Sequence, residues 1–367
     1  MVDAAKLNTV EARREALVRK LSADAIGALD LLCVYIGDRL GLYRALAGRL
    51  ALTAAELAAI GGVHERYARE WLEQQTVSGV LEAENPGAPD GERRYRLPPG
   101  HDEVLVDESS LDFMASLAQG VVSCTPALGA VLEAFRTGGG VAYAAYGPDA
   151  HESQSRATRP LYERLLTSRW LPAVPALHAR LLADPPARIA DVACGHGHSS
   201  LAIAHGYPRV LVDGIDLDEP SIDAARELLS GSGLENRVAF YHRDAADPEL
   251  TGRYDLVTLF EALHDVTRPV DVLESLRAML TPAGCLFLAD EKTEERFSPD
   301  AGEVERLHYG FSVLHCLPVG MQGENPAGTG TVMRPDTVRR YATEAGFSRV
   351  EILPIDDKFW RFYLLTP

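Results

Sequence analysis

The segment Ile189-Ala-Asp-Val-Ala-Cys-Gly-His-Gly-His198 runs a short apolar stretch into a Gly-x-Gly turn and then into helix-forming residues. A strand that hands over to a helix through so tight a turn points to an α/β fold, because the helix returns across a sheet face and the next strand lies parallel. Gly195 and Gly197 give the turn its backbone freedom and allow main chain to approach a ligand. The same grammar continues downstream. Residues 209–217, 238–242, 254–260 and 285–289 read as strands, with helices over 199–205, 221–230 and 270–280. Residues 335–345 read as a helix stopped by Gly346, followed by strands over 349–353 and 360–365. Strands alternating with helices predict a parallel sheet covered on both faces. No internal repeat is visible.

The chain before Pro185 reads differently. Over residues 24–50, Ile26, Leu29, Leu32, Cys33, Ile36, Leu40, Leu42 and Tyr43 recur at helical spacing with a thin polar side, which predicts a helix buried against another surface. Thr53-Ala-Ala-Glu56 predicts a capping box, in which hydroxyl and carboxylate each satisfy a free N–H. Residues 64–78 predict a helix with Tyr67, Trp71 and Leu72 on one face, and residues 80–97 predict a β-hairpin around a turn-rich loop. This order is that of a winged helix. Residues 108–183 read as helical, with breaks at Gly138-Gly-Gly140 and Gly147-Pro148.

Charge narrows the partners. The 367 residues carry a formal charge of −17, a field that repels a phosphate backbone. The helix over 64–78, the one that would read DNA, sets Arg66 and Arg69 against Glu65, Glu70 and Glu73, so no nucleic acid is expected. Five scattered cysteines without a C-x-x-C pair suggest reduced thiols. The charged N-terminus shows no apolar signal core, and no run reaches the roughly 18 apolar residues of a membrane span. An acidic, cytoplasmic chain without a membrane contact is the expectation.

Acids at successive strand ends refine the glycine turn. A dinucleotide would place its pyrophosphate at this helix N-terminus and disfavour a nearby carboxylate. Here Asp191 precedes Gly195 by four residues. That suits a ligand with an ammonium group and no phosphate, such as S-adenosylmethionine (SAM), which adds a positive sulfonium. Asp216 ends the second strand at the distance where a carboxylate accepts ribose hydroxyls, and Leu217 follows as an adenine-facing residue. Asp244 ends the third strand and suits an adenine amino group, with the Ala245 N–H beside it. Each acid taken alone reads equally well as a loop carboxylate or helix cap.

With this ordered set, residues 185–295 resemble a class I SAM-dependent methyltransferase and its Asp-x-x-x-Gly-x-Gly motif. The winged helix and the glycine-rich tail extend the resemblance to two-domain bacterial enzymes related to plant small-molecule O-methyltransferases. It implies a Rossmann-like seven-stranded sheet. It also implies a division into 1–105 (winged-helix dimerisation domain), 106–183 (helical, cofactor-covering) and 184–367 (SAM-binding), and a homodimer. Cofactor contacts extend by resemblance to Ala193, Phe260 and Glu261. Glu261 departs from the plant pattern, where a basic residue is usual; it reads as a holder of the cationic methionine end or as a surface acid. His264 falls at the general-base position, with Asp265 beside it and Asp290 or Glu291 to orient it; a structural histidine is the other reading. Tyr146, His308, Phe311 and His315 are candidates for the acceptor pocket or for core, and Gly328-Thr-Gly-Thr331 with Arg334 resembles a family signature near that pocket. Tyr143 and Arg159 are further candidates to cover the cofactor. His196 and His198 sit in the turn itself and read as loop residues, so no metal is expected. The implied activity is methyl transfer from SAM to a small molecule, a hydroxyl oxygen first. N- or C-methylation, and a SAM fold acting without transfer as a cyclase, decarboxylase or ligand sensor, stay open.

Overall fold

The computed structural model describes residues 9–367. The chain divides into two compact units, the first ending at Val122 and the second starting at Ser123.

In the first unit, a 30-residue helix, Val10–Arg39, opens on Thr9, whose hydroxyl accepts from Ala12 N at 3.1 Å. It stops before Gly41, which has a φ of 66°. Helices Leu42–Leu46, Ala54–Gly61 and Glu65–Val77 follow, then a hairpin of β1 (Glu82–Ala83) and β2 (Tyr95–Arg96). This is a winged helix. The capping box forms: Glu56 N donates to Thr53 Oγ1 at 3.3 Å and Thr53 N to Glu56 Oε2 at 2.7 Å. Leu42, Tyr43, Leu57, Trp71, Leu72 and Tyr95 fill the core. Two expectations are corrected. Ile26, Leu29, Leu32, Ile36 and Leu40 remain exposed on this chain, because the long helix buries only a short stretch near Gly37. Tyr67 is exposed as well, since Ala68, Trp71, Leu72 and Gln75 form the buried face of their helix.

In the second unit, helices between Leu128 and Leu182 precede a seven-stranded Rossmann-like sheet. Its strands are β3 (Arg188–Val192), β4 (Leu211–Asp216), β5 (Val238–His242), β6 (Tyr254–Phe260), β7 (Leu280–Glu291), β8 (Arg349–Ile352) and β9 (Trp360–Thr366). They lie in the order β5-β4-β3-β6-β7-β9-β8. The pairings from β5 to β7 are parallel; β9 runs antiparallel between β7 and β8. Two apolar layers cover the faces, one around Trp170, Ile203 and Phe362 and the other around Leu273, Leu276 and Tyr341. Strand order reverses at β3, whose neighbours are β4 and β6, so a crevice opens at the carboxyl ends of these strands. No single helix among the described residues is long and apolar enough to cross a membrane.

Candidate active site

The ends of β3, β4 and β6 open into a cavity of about 450 Å³ built from residues between 143 and 319. The turn after β3 shapes its floor. Ala193, Gly195 and Gly197 have φ of 53°, 51° and 80°. At Gly195 nothing crowds a side chain, so the left-handed backbone alone asks for glycine. At Gly197 a Cβ would also stand 2.4 Å from Phe240 Cζ. Asp216 Oδ2 accepts from Gly195 N and Oδ1 from Asp218 N, both at 2.9 Å. The carboxylate is thereby fixed against the turn with lone pairs to spare. Burial raises its pKa. Beside it, Leu217 is 67% exposed and forms an apolar ledge on the wall.

Three residues expected as cofactor contacts lie off this wall. Asp191 is not on the cavity wall: it lies within β3, 1% exposed. Ser199 Oγ, Ser200 Oγ and Thr258 Oγ1 donate to it at 2.6, 2.7 and 2.6 Å. Its place in the strand turns the carboxylate under the helix that follows, so it braces the turn. Asp244 and Ala245 also lie off the wall, because Asp244 Oδ1 turns back to Ala246 N at 2.9 Å within its own loop.

The end of β6 carries the second half of the site. Phe260 stacks on Trp360 with centroids 6.5 Å apart and rings 7° from parallel. Glu261 has a φ of 48°, unusual for a side-chain-bearing residue, and lines the cavity. Trp360 Nε1 donates to its Oε1 and Gln154 Nε2 to its Oε2. Burial raises its pKa to about 7.

His264 is 3% exposed and stands behind the wall, whereas Asp265 lies on it. Imidazole Nδ1 is 2.8 Å from Asp290 Oδ1 and 3.0 Å from Glu291 Oε2, and Nε2 is 3.3 Å from Asp265 Oδ1. Burial works against charge on His264, but the Glu291, Asp290 and Asp265 carboxylates overcome it and hold the pKa well above the ordinary histidine range. Burial also opposes charge on Asp290, where the imidazole prevails and lowers the pKa, while burial raises Glu291. The imidazole is thus held among three carboxyl groups, an arrangement suited to storing and moving a proton.

The wall carries four carboxylates, Asp216, Asp218, Glu261 and Asp265, and among the described residues no Lys or Arg. His196 and His198 also line it; burial lowers both pKa values, His198 to about 4, so neither contributes charge at neutral pH. This field repels phosphate and favours a cation. SAM fits: fixed lone pairs at Asp216, an apolar ledge at Leu217 and an uncompensated carboxylate at Glu261 match its hydroxyls, base and cationic sulfur.

Of the acceptor candidates, Tyr146, His308, Phe311 and His315 are all absent from this wall. Tyr146 and His315 pack together beyond it: Tyr146 OH donates to Leu314 O at 2.9 Å, and its ring lies 4.3 Å from that of His315. His308 Nδ1 is buried without a hydrogen-bond partner, and burial lowers the pKa to about 4. Arg334 is engaged by Glu305 at 2.8 Å. Tyr143 lines the cavity; Arg159 does not, and pairs with Glu163 at 2.8 Å. Sequence reasoning missed His151 and Gln154, both on the wall, and Trp360 behind Glu261. Helix Pro148–Leu161 carried a signal for the first two, since His151, Gln154, Ser155 and Thr158 recur at helical spacing and all line the wall.

Residues 184–325 match the methyltransferase domain family, and residues 27–106 the Rv2258c-like winged HTH domain family. A ubiquinone biosynthesis O-methyltransferase of Marinobacter nauticus is 36% identical over 104 residues, 28% of this chain and 43% of that protein. The 27-O-demethylrifamycin SV methyltransferase of Amycolatopsis mediterranei is 29% identical over 160 residues, 40% of this chain and 58% of that protein. The chain thus spans about half the length of the curated relatives it matches. The solved structure of human N-acetylserotonin methyltransferase in complex with SAM superposes with a TM-score of 0.71 at 17% identity, covering 95% of this chain and 97% of that one. Mitomycin 7-O-methyltransferase MmcR gives 0.68 at 19% identity, covering 97% and 100%. At these identities the structures show a shared fold.

Proposed function

We propose that this chain, which carries a methyltransferase domain behind an Rv2258c-like winged helix-turn-helix domain, binds SAM and passes its methyl group to a hydroxyl oxygen of a small molecule. One observation carries the reading: a cavity at the carboxyl edge of the sheet whose wall holds four carboxylates and, among the described residues, no Lys or Arg. The O-methyltransferase names of the relatives support oxygen as the acceptor atom.

When bound, the cofactor supplies a methyl group on a positively charged sulfur, and the electron pair of the broken C–S bond stays on that sulfur. The chain's own residues do the rest. Asp216 takes the ribose hydroxyls, Leu217 supports the base, and Glu261 faces the cationic end. Tyr143 and His151, within the 106–183 stretch, wall the cavity against water. Holding two reactants in line contributes up to about 7–11 kcal/mol to such a displacement. Asp265 is the face that the buried acid–histidine group presents to the acceptor. It receives the hydroxyl proton and passes it to Nε2 of His264 once that imidazole has lost its own proton, with Asp290 and Glu291 holding the ring from the other side. His264 is therefore the base once removed, one carboxylate away from the acceptor.

The exposed apolar seam of the Val10–Arg39 helix, with Val18, Leu21, Leu29, Leu32 and Ile36 on one side of it, supports a homodimer formed through the first unit. No disulfide forms among the described cysteines, which supports a reducing, cytoplasmic setting.

The test is product mass spectrometry. Purified protein, methyl-labelled SAM and a small-molecule extract of the source cells should yield a compound one labelled methyl heavier together with S-adenosylhomocysteine. Binding of SAM with neither product formed would remove methyl transfer from the account.

A further inference from the structure

We infer that Glu261 is a charge selector, making the cavity hold cationic SAM in preference to its uncharged-sulfur product, S-adenosylhomocysteine. The inference rests on SAM being the ligand of this cavity.

The geometry is that of a carboxylate left without a cation. Glu261 is the first residue beyond β6, and its backbone N donates to Ala289 O at 2.9 Å, so the main chain is anchored in its left-handed turn. A non-glycine residue in that conformation is strained. Its two oxygens are held by Trp360 Nε1 from β9 and Gln154 Nε2 from helix Pro148–Leu161, both neutral donors. They fix the carboxylate without cancelling its charge. Tyr162 packs nearby from the segment Tyr162–Trp170, and burial holds its phenol neutral. From the end of β7 come Asp290 and Glu291, which add no positive charge. Among the described residues the cation in reach is His264, whose Nδ1 is already at 2.8 and 3.0 Å from Asp290 and Glu291. Among the described residues no Lys or Arg forms an ion pair with Glu261 or lines the cavity. If only a hydrogen-bond acceptor for Trp360 and Gln154 were needed, a neutral amide would serve without the cost of a buried charge. The unbalanced charge and the strained backbone both belong to a residue on the cavity wall, where an arriving cation removes the imbalance.

Burial places the Glu261 pKa at about 7. The carboxyl is therefore partly protonated near neutrality, and a bound cation favours its ionised form. SAM binding releases a proton below that value, so SAM affinity rises with pH through about 7 and then levels. Once the methyl group has left, the sulfur carries no charge, the proton returns, and the product loosens.

Isothermal titration calorimetry tests this with SAM and S-adenosylhomocysteine on wild type and Glu261→Gln across roughly pH 6 to 8.5. The Gln154 amide can turn to present its carbonyl to the new amide, which keeps both hydrogen bonds. Glu261→Gln should weaken SAM by about tenfold or more, leave S-adenosylhomocysteine within about threefold, and abolish the pH slope for SAM. Equal weakening of both ligands assigns Glu261 to the part they share, and no weakening removes it from binding; either result overturns the inference. If the variant does not fold, wild type decides: a SAM curve that rises with pH beside a flat product curve supports the selector, and parallel or flat curves overturn it. Wild type that binds neither ligand refutes the SAM reading itself, a separate failure.

Discussion

Asp216 shows how one side chain serves turn and ligand together. Its oxygens take the Gly195 and Asp218 amides, so the loop that carries it and the loop that approaches the ligand are locked to each other. Hydrogen bonds to a charged group contribute roughly 1.5–3 kcal/mol each. Asp216→Asn should lower SAM affinity by about ten- to a hundredfold in calorimetry. His264 makes a second residue-scale prediction. Its neighbouring carboxylates keep it protonated well above the ordinary histidine range, and a protonated imidazole accepts nothing. Methyl transfer should therefore rise with pH on a limb displaced to the alkaline side of the usual histidine titration. His264→Ala should flatten that limb and slow turnover by about 10²–10⁴-fold with SAM binding retained. A wild-type profile flat from mildly acid to alkaline pH would remove His264 from proton transfer.

At the scale of elements, the turn between β3 and helix His198–Gly206 sets the cavity floor, and Phe240 of β5 packs under it. Gly197→Ala places a Cβ 2.4 Å from Phe240 Cζ at a φ of 80°. Overpacking typically costs about 1–3 kcal/mol. A lower melting temperature together with weaker SAM binding is expected. The long first helix makes a different prediction. Leu21, Leu29, Leu32 and Ile36 stay in solvent on a single chain, more apolar surface than a lone exposed helix needs. Leu29→Glu with Ile36→Glu should turn a dimer into a monomer in sedimentation velocity, and wild type running as a monomer at micromolar concentration would remove the seam from assembly. The strand-and-helix alternation after Pro185 was readable because buried parallel strands are short and nearly all apolar, and the capping box because its chemistry is local. The exposure of Leu29 and Tyr67 was not, since periodicity tells which residues share a face and not whether something in the same chain covers it.

Across the whole molecule, legibility follows the range of the interaction. Asp216, Gly195 and Gly197 could be placed from sequence because each is fixed by the strand or turn it belongs to. Asp191 is readable at the end of its strand, but the Ser199, Ser200 and Thr258 hydroxyls that hold it come from a helix and a strand that spacing does not bring together. The same holds for Glu261, whose partners Gln154 and Trp360 lie 107 and 99 residues away, and for His264, whose burial behind Asp265 depends on the end of β7. Acid content was visible from the net charge of −17, but its concentration on one wall without a Lys or Arg required the fold. That concentration is the central claim, and competition between ligands of opposite charge addresses it directly. With SAM and NAD titrated in parallel by calorimetry into wild-type protein at low salt, the acid wall predicts saturable SAM binding and none of the pyrophosphate-bearing dinucleotide. Tight NAD binding with SAM silent would contradict it.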